Sequence, residues 1–177
     1  MAEFHRVRFA AVLAADNIAP MDYFTRAWGL GDLSDEEFDG VDERYREYVE
    51  SLDPNGPVRR FATTISLNDA YVDRLTYCDG NLSLRLLTGD LQRGYWHTLL
   101  RYSGGRIVSG REALESAVTV RPTEIWYDEF AAAPPRMVHR FLLVKPDTTE
   151  DRGEVHIEFD GFLFSETSAS GRILEKV

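Results

Sequence analysis

The stretch from Asn68 to Arg106 constrains the fold most, because it predicts three consecutive antiparallel strands. The Asp79-Gly80-Asn81 sequence lies between two runs rich in β-forming residues, and a tight turn in that position is a strong short-range signal for a β-hairpin. In the middle run Leu82, Leu84 and Leu86 occupy alternate positions, which predicts a strand with one buried face. The stretch therefore predicts a three-stranded meander that the rest of the chain covers or extends.

The chain before the meander predicts three helices. Asp22 can cap a short first helix. The Ser34-Asp35-Glu36-Glu37 sequence is a capping box, and apolar residues at helical spacing extend this second helix to about Leu52. Pro57 suits the first turn of a third helix, which leads into the meander.

The chain after the meander consists mainly of β patterns separated by breakers. A short strand is predicted at 107–108 and a brief helix over 110–117. Three further strands are predicted over 123–130, 136–144 and 154–165, with a bulge or bend at Gly161. The pattern indicates an α+β fold, with N-terminal helices packed on a mainly antiparallel sheet of about six strands. The late strands either extend the meander or form a second layer, and the sequence leaves both arrangements open.

Length and composition indicate one folded domain. With 177 residues, of which 44% are hydrophobic and 12% aromatic, the chain can bury a substantial core. Met21 begins a stretch that is typical of a natural start, so residues 1–20 are expected to be an N-terminal extension. We therefore expect a single α+β domain over 21–165, followed by a polar tail over 166–177.

The acidic charge of the chain is concentrated in its second predicted helix. The formal net charge is -10, and ten carboxylates but only two arginines lie between Asp32 and Asp53. Such a segment is either a solvated helix face or a docking surface for a basic protein partner. The candidate binding residues on it are Asp35, Glu36, Asp39, Asp42 and Glu43. Net negative charge disfavours nucleic acid and anionic membranes as partners, since both attract basic surfaces.

The single cysteine and the absence of familiar motifs limit which cellular compartment and which cofactors we expect for this protein. Cys78 is the only cysteine, so neither an intrachain disulfide nor a thiolate cluster can form, and a cytoplasmic location is expected. We expect Cys78 to be a small, half-buried hydrophobe at a strand end. No apolar run reaches the roughly 20 residues of a membrane-spanning helix. No nucleotide-binding, hydrolase or metal-binding motif occurs, so no cofactor and no metal are predicted.

The strand predicted over 123–130 contains the strongest candidate site. Strict alternation places Glu124, Trp126 and Asp128 on one face and the residues between them on the other. Two carboxylates that flank an indole can hold a sugar or a cationic ligand, and a carboxylate pair can also divide acid and base roles. The alternative is that these carboxylates are simply hydrated.

His139 and Asp69 are further candidates. His139 shares a predicted strand face with apolar residues, where it is either a packed core residue or a base or metal ligand. In the second case the neighbouring carboxylates that join it are Asp69, Glu124 and Asp128. Asp69 either projects into a cleft between helix and sheet or shapes a turn together with Asn68. No histidine spacing typical of a metal site occurs in the chain.

Seven segments share a pattern with one protein family. They are MDYFTRAW (21–28), DLSDEE (32–37), SLNDAYV (66–72), TGDLQRGYWHTLLRY (88–102), EIWYDEF (124–130), HRFLL (139–143) and GEVHIEF (153–159). In these segments, which cover roughly 21–164, the chain resembles a family of small bacterial cytoplasmic proteins with no established activity. The resemblance implies a bacterial, cytoplasmic protein. In that family a histidine commonly precedes the aspartate that opens the first strand, whereas Asn68 precedes Asp69 here, which argues against a metal-binding His-Asp pair.

Two functions are consistent with these features. The first is a non-enzymatic cytoplasmic protein-binding module, of the immunity or regulatory type, whose acidic helix face masks a basic partner. The second is a small-ligand enzyme or hydrolase that uses Glu124, Asp128 and His139 in a cleft between sheet and helices. Whether these side chains and Asp69 converge in one pocket separates the two.

Overall fold

The computed structural model describes residues 20–90, 92, 94–119 and 122–169. Over these residues the chain forms four helices and eight strands. The helices are α1 (Arg26–Leu30), α2 (Asp35–Ser51), α3 (Pro57–Thr64) and α4 (Arg111–Thr119). The strands are β1 (Ala70–Cys78), β2 (Asn81–Asp90), β3 (Gly94–Ser103), β4 (Arg106–Ser109), β5 (Glu124–Ala133), β6 (Arg136–Val144), β7 (Asp151–Phe159) and β8 (Gly161–Ser168). The predicted α+β class is confirmed.

The eight strands belong to one antiparallel sheet. Its strand order is β4-β7-β6-β5-β1-β2-β3-β8, so the predicted meander β1–β3 forms one half and the late strands β5–β7 extend it. Among the described residues, the ladder between β1 and β5 consists of two residue pairs, Ala70 with Ile125 and Tyr71 with Glu124. The candidate site lies beside this short junction.

The sheet curls back on itself. In the strand order β3 and β6 are four steps apart, which is roughly 19 Å in a flat sheet at the usual spacing between strands. The Tyr102 hydroxyl on β3 nevertheless lies 2.9 Å from Nδ1 of His139 on β6. The inner face of the curl therefore encloses the core, which includes Leu82, Leu84, Leu100, Ile125, Phe130, Phe141, Ile157 and Phe162.

Helices cover the open side of the curl. Phe61 of α3 packs edge-on against Phe130 and Phe162, with ring centroids 5.8 and 5.4 Å away. Leu114 of α4 is buried where that helix contacts β1 and β7. Beyond the short β1–β5 junction the free edge of β5 meets α2, since the Phe130 N–H donates to the Tyr45 hydroxyl at 3.1 Å.

A buried carboxylate holds the chain that precedes α1 against the outer face of the sheet. Glu129 accepts the backbone N–H groups of Asp22, Tyr23 and Phe24 at 2.8, 2.8 and 3.1 Å. The Arg140 guanidinium donates to Glu129 at 2.9 Å and to the Asp22 carboxylate at 2.6 Å. Glu129 has no exposed surface, and its four donors satisfy it.

The prediction of about six strands is wrong in number, for two reasons. The single strand predicted over 154–165 is two strands, because the chain bends at Asp160-Gly161 and β8 then pairs with β3 at the far side of the sheet. The short strand predicted at 107–108, which the count of six leaves out, is confirmed as β4, antiparallel to β7. The helices are also not confined to the N-terminal part, since α4 lies between β4 and β5.

Most predicted helix ends are confirmed, with one exception. The capping box at the start of α2 and the proline at the start of α3 are both present. Asp22 does not cap α1; the Thr25 hydroxyl does, by accepting the Trp28 N–H at 3.2 Å. Asp22 is instead held by Glu129 and Arg140, which no local pattern indicates.

Three expectations concern exposure and boundaries. Cys78 is exposed rather than half-buried, because it ends β1 beside the hairpin turn, where its thiol lies 3.4 Å from the Asp79 carboxylate. Among the described residues no helix is long and apolar enough to cross a membrane. Residues 1–19 of the expected extension and 170–177 of the expected tail lie outside the described residues, and β8 continues to Ser168.

Candidate functional site

A β-bulge decides where the candidate residues of β5 point. Between Ile125 and Tyr127 the pairing with β6 shifts register, so that three residues of β5 face two of β6. The strict alternation predicted for this strand is therefore wrong, because the extra residue, Trp126, breaks it. As a result Asp128 shares the buried face with Ile125 and not the face of Glu124.

A cleft of about 780 Å³, which we call the acidic cleft, includes residues of this strand. It lies between the start of β1, the β2–β3 connection, β5 and the loop after β6. Its lining includes four carboxylates and three aromatic rings, namely Asp69, Asp90, Glu124, Asp147, Tyr71, Tyr95 and Trp126. The candidates Asp69, Glu124 and Trp126 therefore meet in the acidic cleft, whereas Asp128 and His139 do not line it.

Glu124 is the buried carboxylate of the acidic cleft. Its exposure is only 8%, although it lines the cleft wall. Tyr71 lies directly opposite it across the β1–β5 junction, and the Tyr71 hydroxyl donates a hydrogen bond to it. Burial, this hydrogen bond and the nearby Glu124 charge raise the pKa of Tyr71 to about 12. Within the described ranges no arginine, lysine or histidine forms an ion pair with Glu124.

Trp126 supplies an aromatic wall that already contacts one cation. The Arg26 guanidinium lies 5.9 Å from the indole centroid and donates to the carbonyl of Thr149, which also lines the acidic cleft. Arg26 forms its ion pair with Asp151, at 3.8 Å, and Asp151 lies outside the cleft lining. The indole is thus a surface on which positive charge stacks.

His139 and Asp128 belong to a separate, buried hydrogen-bonded chain. The fully buried His139 lies 2.9 Å from the Asp128 carboxylate through Nε2 and 2.9 Å from the Tyr102 hydroxyl through Nδ1. Burial lowers the pKa of His139, against the opposing effect of Asp128, and raises the pKa of Tyr102. The tyrosine therefore donates to a neutral histidine, which donates to Asp128. His139 is thus fully buried, and both of its ring nitrogens are hydrogen-bonded.

Asp128 also lines a smaller cavity of about 230 Å³, which we call the Asp128 pocket. The other lining residues are Phe24, Tyr45, Ala62, Ile65, Ser66, Asn68, Trp126 and Tyr127. Trp126 lines both the Asp128 pocket and the acidic cleft. The four catalytic candidates are therefore divided, with Asp69 and Glu124 in the cleft and Asp128 in the pocket, where His139 lies behind it.

The predicted acidic face of α2 is exposed. This holds for all five of its candidate residues, Asp35, Glu36, Asp39, Asp42 and Glu43. Among the described residues only Glu43 of this set forms an ion pair, with Arg46 at 3.7 Å. Phe38 of the same helix is 37% exposed and stacks on Trp28 at 4.7 Å, and Leu30 at the end of α1 is 44% exposed.

The described part of the chain shows no metal centre. No group of three or more histidine, cysteine, aspartate or glutamate side chains in it is placed to hold a metal ion. Asp69 follows Asn68 in a turn, where the Asn68 amide donates to the Asp69 carboxylate at 3.2 Å. Asp69 thus combines the two predicted roles, since it shapes the turn and also lines the acidic cleft.

Comparisons with protein-family models, curated proteins and solved structures find no match for this chain. The family resemblance of the seven segments remains a prediction.

Part of the acidic cleft is not indicated by the sequence. Tyr71 reaches Glu124 only through the β1–β5 junction, which joins residues far apart in the chain. The one local signal for the position of Tyr71 is the β pattern in which it alternates with the buried Ala70 and Val72. Asp147 lies in the polar connection between β6 and β7, where nothing local marks a ligand-binding carboxylate.

Proposed function

We propose that this protein is a binding protein whose acidic cleft takes a positively charged group, an organic ammonium or guanidinium. The observation that carries the proposal is the state of Glu124, a carboxylate with 8% exposure that faces the cleft and has no positively charged partner among the described residues. Burying a charge is costly unless it is paired. A cationic ligand supplies the missing partner.

The remaining lining of the acidic cleft supports the same ligand class. Asp69 and Asp147 add negative charge on either side of Glu124 and attract a cation from solution. Trp126, Tyr71 and Tyr95 offer aromatic faces for cation–π contact. A volume of about 780 Å³ is within the range of small-molecule sites, so a whole ligand rather than one side chain is accommodated.

Binding is favoured over catalysis because the acid–base candidates are separated. His139 uses one ring nitrogen for Asp128 and the other for Tyr102, so it offers no free nitrogen to a substrate in the acidic cleft. Asp128 lines a different cavity and not the acidic cleft. An enzyme that combines Glu124, Asp128 and His139 in one site is therefore the weaker proposal.

Calorimetry with matched ligands tests the cleft proposal. Putrescine, agmatine and choline are the cationic probes, and 1,4-butanediol is the neutral match for putrescine. We expect at least one cation to bind the wild-type protein, and Glu124→Gln to weaken it at least about tenfold, since a charge-assisted contact becomes a neutral one. Glu112→Gln is the control, because Glu112 is an exposed carboxylate on α4.

Two outcomes would contradict the cleft proposal. One is that the cations bind no better than the diol. The other is that Glu124→Gln and Glu112→Gln bind the cations equally well, because the buried carboxylate then contributes nothing specific.

The acidic face of α2 favours a second candidate function, docking of a basic protein. It presents five exposed carboxylates, and the partly exposed Phe38 lies on the same helix, so charged and apolar surface occur together as they do in protein interfaces. Opposite charge on a partner would steer the encounter and fix its orientation. An immunity-type or regulatory role corresponds to this surface.

A basic probe peptide tests the docking surface. Binding of an oligolysine peptide of about 20 residues is measured by fluorescence anisotropy for Asp39→Asn/Asp42→Asn and for the charge-matched double variant Asp79→Asn/Glu112→Gln. We expect the first pair to weaken binding more, and the difference to shrink at high salt. Equal losses in both double variants would show that only net charge matters and would refute a specific face.

We place either function in a reducing compartment such as the cytoplasm. Cys78, the sole cysteine of the sequence, is a free and exposed thiol. An exposed free thiol is most persistent where it is kept reduced.

A further inference from the structure

We propose that the Asp128 pocket is a second ligand site, which takes a planar ring bearing a primary amide or an equivalent N–H and C=O pair. This site is distinct from the acidic cleft and does not depend on it. The proposal rests on three features of the pocket: an oriented acceptor, an oriented donor and aromatic walls.

The acceptor is the Asp128 carboxylate. Its Oδ2 receives the Nε2–H of His139 at 2.9 Å, and His139 is in turn held by Tyr102 at 2.9 Å. Both supporting residues are fully buried, so the carboxylate is fixed from behind. Its side chain is 18% exposed and lines the pocket. No residue of the described ranges donates a hydrogen bond to the other oxygen, Oδ1, which is therefore available to a ligand.

The donor is the Tyr45 hydroxyl. Its oxygen accepts the Phe130 N–H at 3.1 Å, so the hydroxyl oxygen is held at the edge of β5. Burial, with the Asp128 charge adding to it, raises the pKa of Tyr45 far above its ordinary value, so the hydroxyl keeps its proton. No side chain or backbone carbonyl of the described residues accepts that proton. Tyr45 can therefore donate to a carbonyl oxygen inside the pocket.

The walls select a flat ring. Phe24, Trp126 and Tyr127 line the pocket as rings, and Ala62 and Ile65 of the α3 region add aliphatic surface. A volume of about 230 Å³ exceeds the roughly 150 Å³ that holds benzene, which leaves room for a ring with one small polar substituent. Stacking and edge contacts with the walls hold such a ring, while the amide faces Asp128 and Tyr45.

The polar pair also sets the specificity. An amide N–H donates to Asp128 and the amide carbonyl accepts from Tyr45, so both polar groups of the pocket are satisfied. A carboxylate in the same place offers no donor and meets the negative charge of Asp128. An aromatic amide should therefore bind better than the aromatic acid of the same shape.

A titration with benzamide and benzoate tests this inference. Two-dimensional NMR follows the resonances of Trp126 and Tyr127, which line the pocket, and gives Kd for each ligand. For a ligand of this size we expect a Kd on the order of millimolar for benzamide. Benzoate should bind at least about tenfold more weakly, the size expected when a charge-assisted hydrogen bond is replaced by repulsion.

Asp128→Asn separates recognition by the carboxylate from simple ring burial. The asparagine oxygen can still accept from His139, but its NH₂ group then turns a donor toward the ligand. We expect the preference for benzamide over benzoate to fall at least about tenfold or to reverse. Asp79→Asn, the same change at the exposed hairpin tip at the other end of β1, should leave the preference unaltered.

The proposals for the Asp128 pocket and for the acidic cleft can be contradicted independently of each other. The Asp128 pocket inference is overturned if benzamide causes no shifts at Trp126 and Tyr127, if wild-type protein binds benzoate as well as benzamide, or if Asp128→Asn keeps the wild-type preference. Glu124→Gln should not change benzamide binding, because Glu124 does not line this pocket. If instead Glu124→Gln abolishes benzamide binding, the ring occupies the acidic cleft and the inference is wrong.

Discussion

Glu129 and Glu124 lie five residues apart on one strand, and both are buried, yet their surroundings differ completely. Glu129 accepts three backbone N–H groups and pairs with Arg140 at 2.9 Å. Glu124 has the Tyr71 hydroxyl as its hydrogen-bond donor, and it faces an open cleft. The first carboxylate is fully satisfied by the protein, whereas the second is not.

This comparison teaches how a structural carboxylate differs from a candidate recognition group. Glu129 joins the chain before α1 to the outer face of the sheet, so its hydrogen bonds hold the fold together. Glu124 has no ion-pair partner among the described residues, and its burial has a cost unless a ligand offsets it. We therefore expect the two residues to respond in opposite ways to the same substitution.

The largest expected effect is the destabilisation caused by Glu129→Gln. The variant leaves Arg140, which is 7% exposed, without its buried partner and gives the backbone N–H groups of 22–24 a weaker acceptor. We expect the free energy of unfolding to fall by about 3 kcal/mol, as for other buried ion pairs that lose one partner. Urea unfolding measures it. Glu124→Gln is the matched control, and a cost as large as that of Glu129→Gln would remove the distinction between the two residues.

The second effect concerns the hydrogen bonds that link Asp128, His139 and Tyr102. We expect their loss to cost less stability than Glu129→Gln and more than Glu124→Gln. His139→Gln can replace only one of the two hydrogen bonds made by the imidazole. We expect a loss of about 2 kcal/mol in the free energy of unfolding, because a buried polar group is left unpaired. Tyr102→Phe, which removes one hydroxyl, should cost about 1 kcal/mol. If Tyr102→Phe costs more than His139→Gln, the chain is not organised around the histidine.

A third, smaller effect is the pH dependence that His139 introduces. Burial lowers its pKa in the folded state, so below the ordinary value of about 6.5 the unfolded chain takes up a proton that the folded chain does not. The free energy of unfolding should therefore fall as the pH is lowered from about 6.5 toward the folded-state pKa, and be unaffected by this group at higher pH. Urea unfolding at several pH values in this window measures the slope. The slope should be shallower in His139→Gln. An equal slope in both proteins would rule out His139 as the source of the pH dependence.

The smallest effect is a shift in the ionisation of Tyr71. Its pKa of about 12 means that, above the ordinary value of about 10, the unfolded chain releases a proton that the folded chain retains, so stability falls as the pH rises through this window. Glu124→Gln should lower the pKa of Tyr71, because it removes the carboxylate charge. The tyrosinate absorbance of each protein, minus that of its Tyr71→Phe counterpart, measures the change. An unaltered titration would show that Glu124 does not contact Tyr71 in solution.

Local patterns predicted the fold well where they were strong. The alternating leucines of β2 and the turn at Asp79-Gly80-Asn81 predicted the meander, and the capping box predicted the start of α2. The strand count was wrong because a bend of one or two residues, at Asp160-Gly161, redirects the chain from one side of the sheet to the other. A sequence signals the bend but not the strand that the next segment will join.

The candidate site was predicted only in part, for a related reason. Glu124, Trp126 and Asp69 do meet in one cleft, but Asp128 was assigned to the wrong face because the bulge at Trp126 reverses the alternation. The partner of Glu124, Tyr71, depends on a pairing between distant strands. Neither the bulge nor that pairing has a local signature.

The most direct test of the cation-binding proposal is the free energy of unfolding of wild-type protein and Glu124→Gln, each measured with and without a saturating concentration of the tightest cation. A ligand that binds only the folded state stabilises it in proportion to RT ln(1 + [L]/Kd). Without ligand we expect the free energy of unfolding of the variant to equal or exceed that of the wild type, with a tolerance of about 1 kcal/mol. With ligand the wild type should gain more stability and become the more stable of the two. A variant that is strongly destabilised without ligand, or that gains as much from the cation as the wild type, would contradict a recognition role for Glu124.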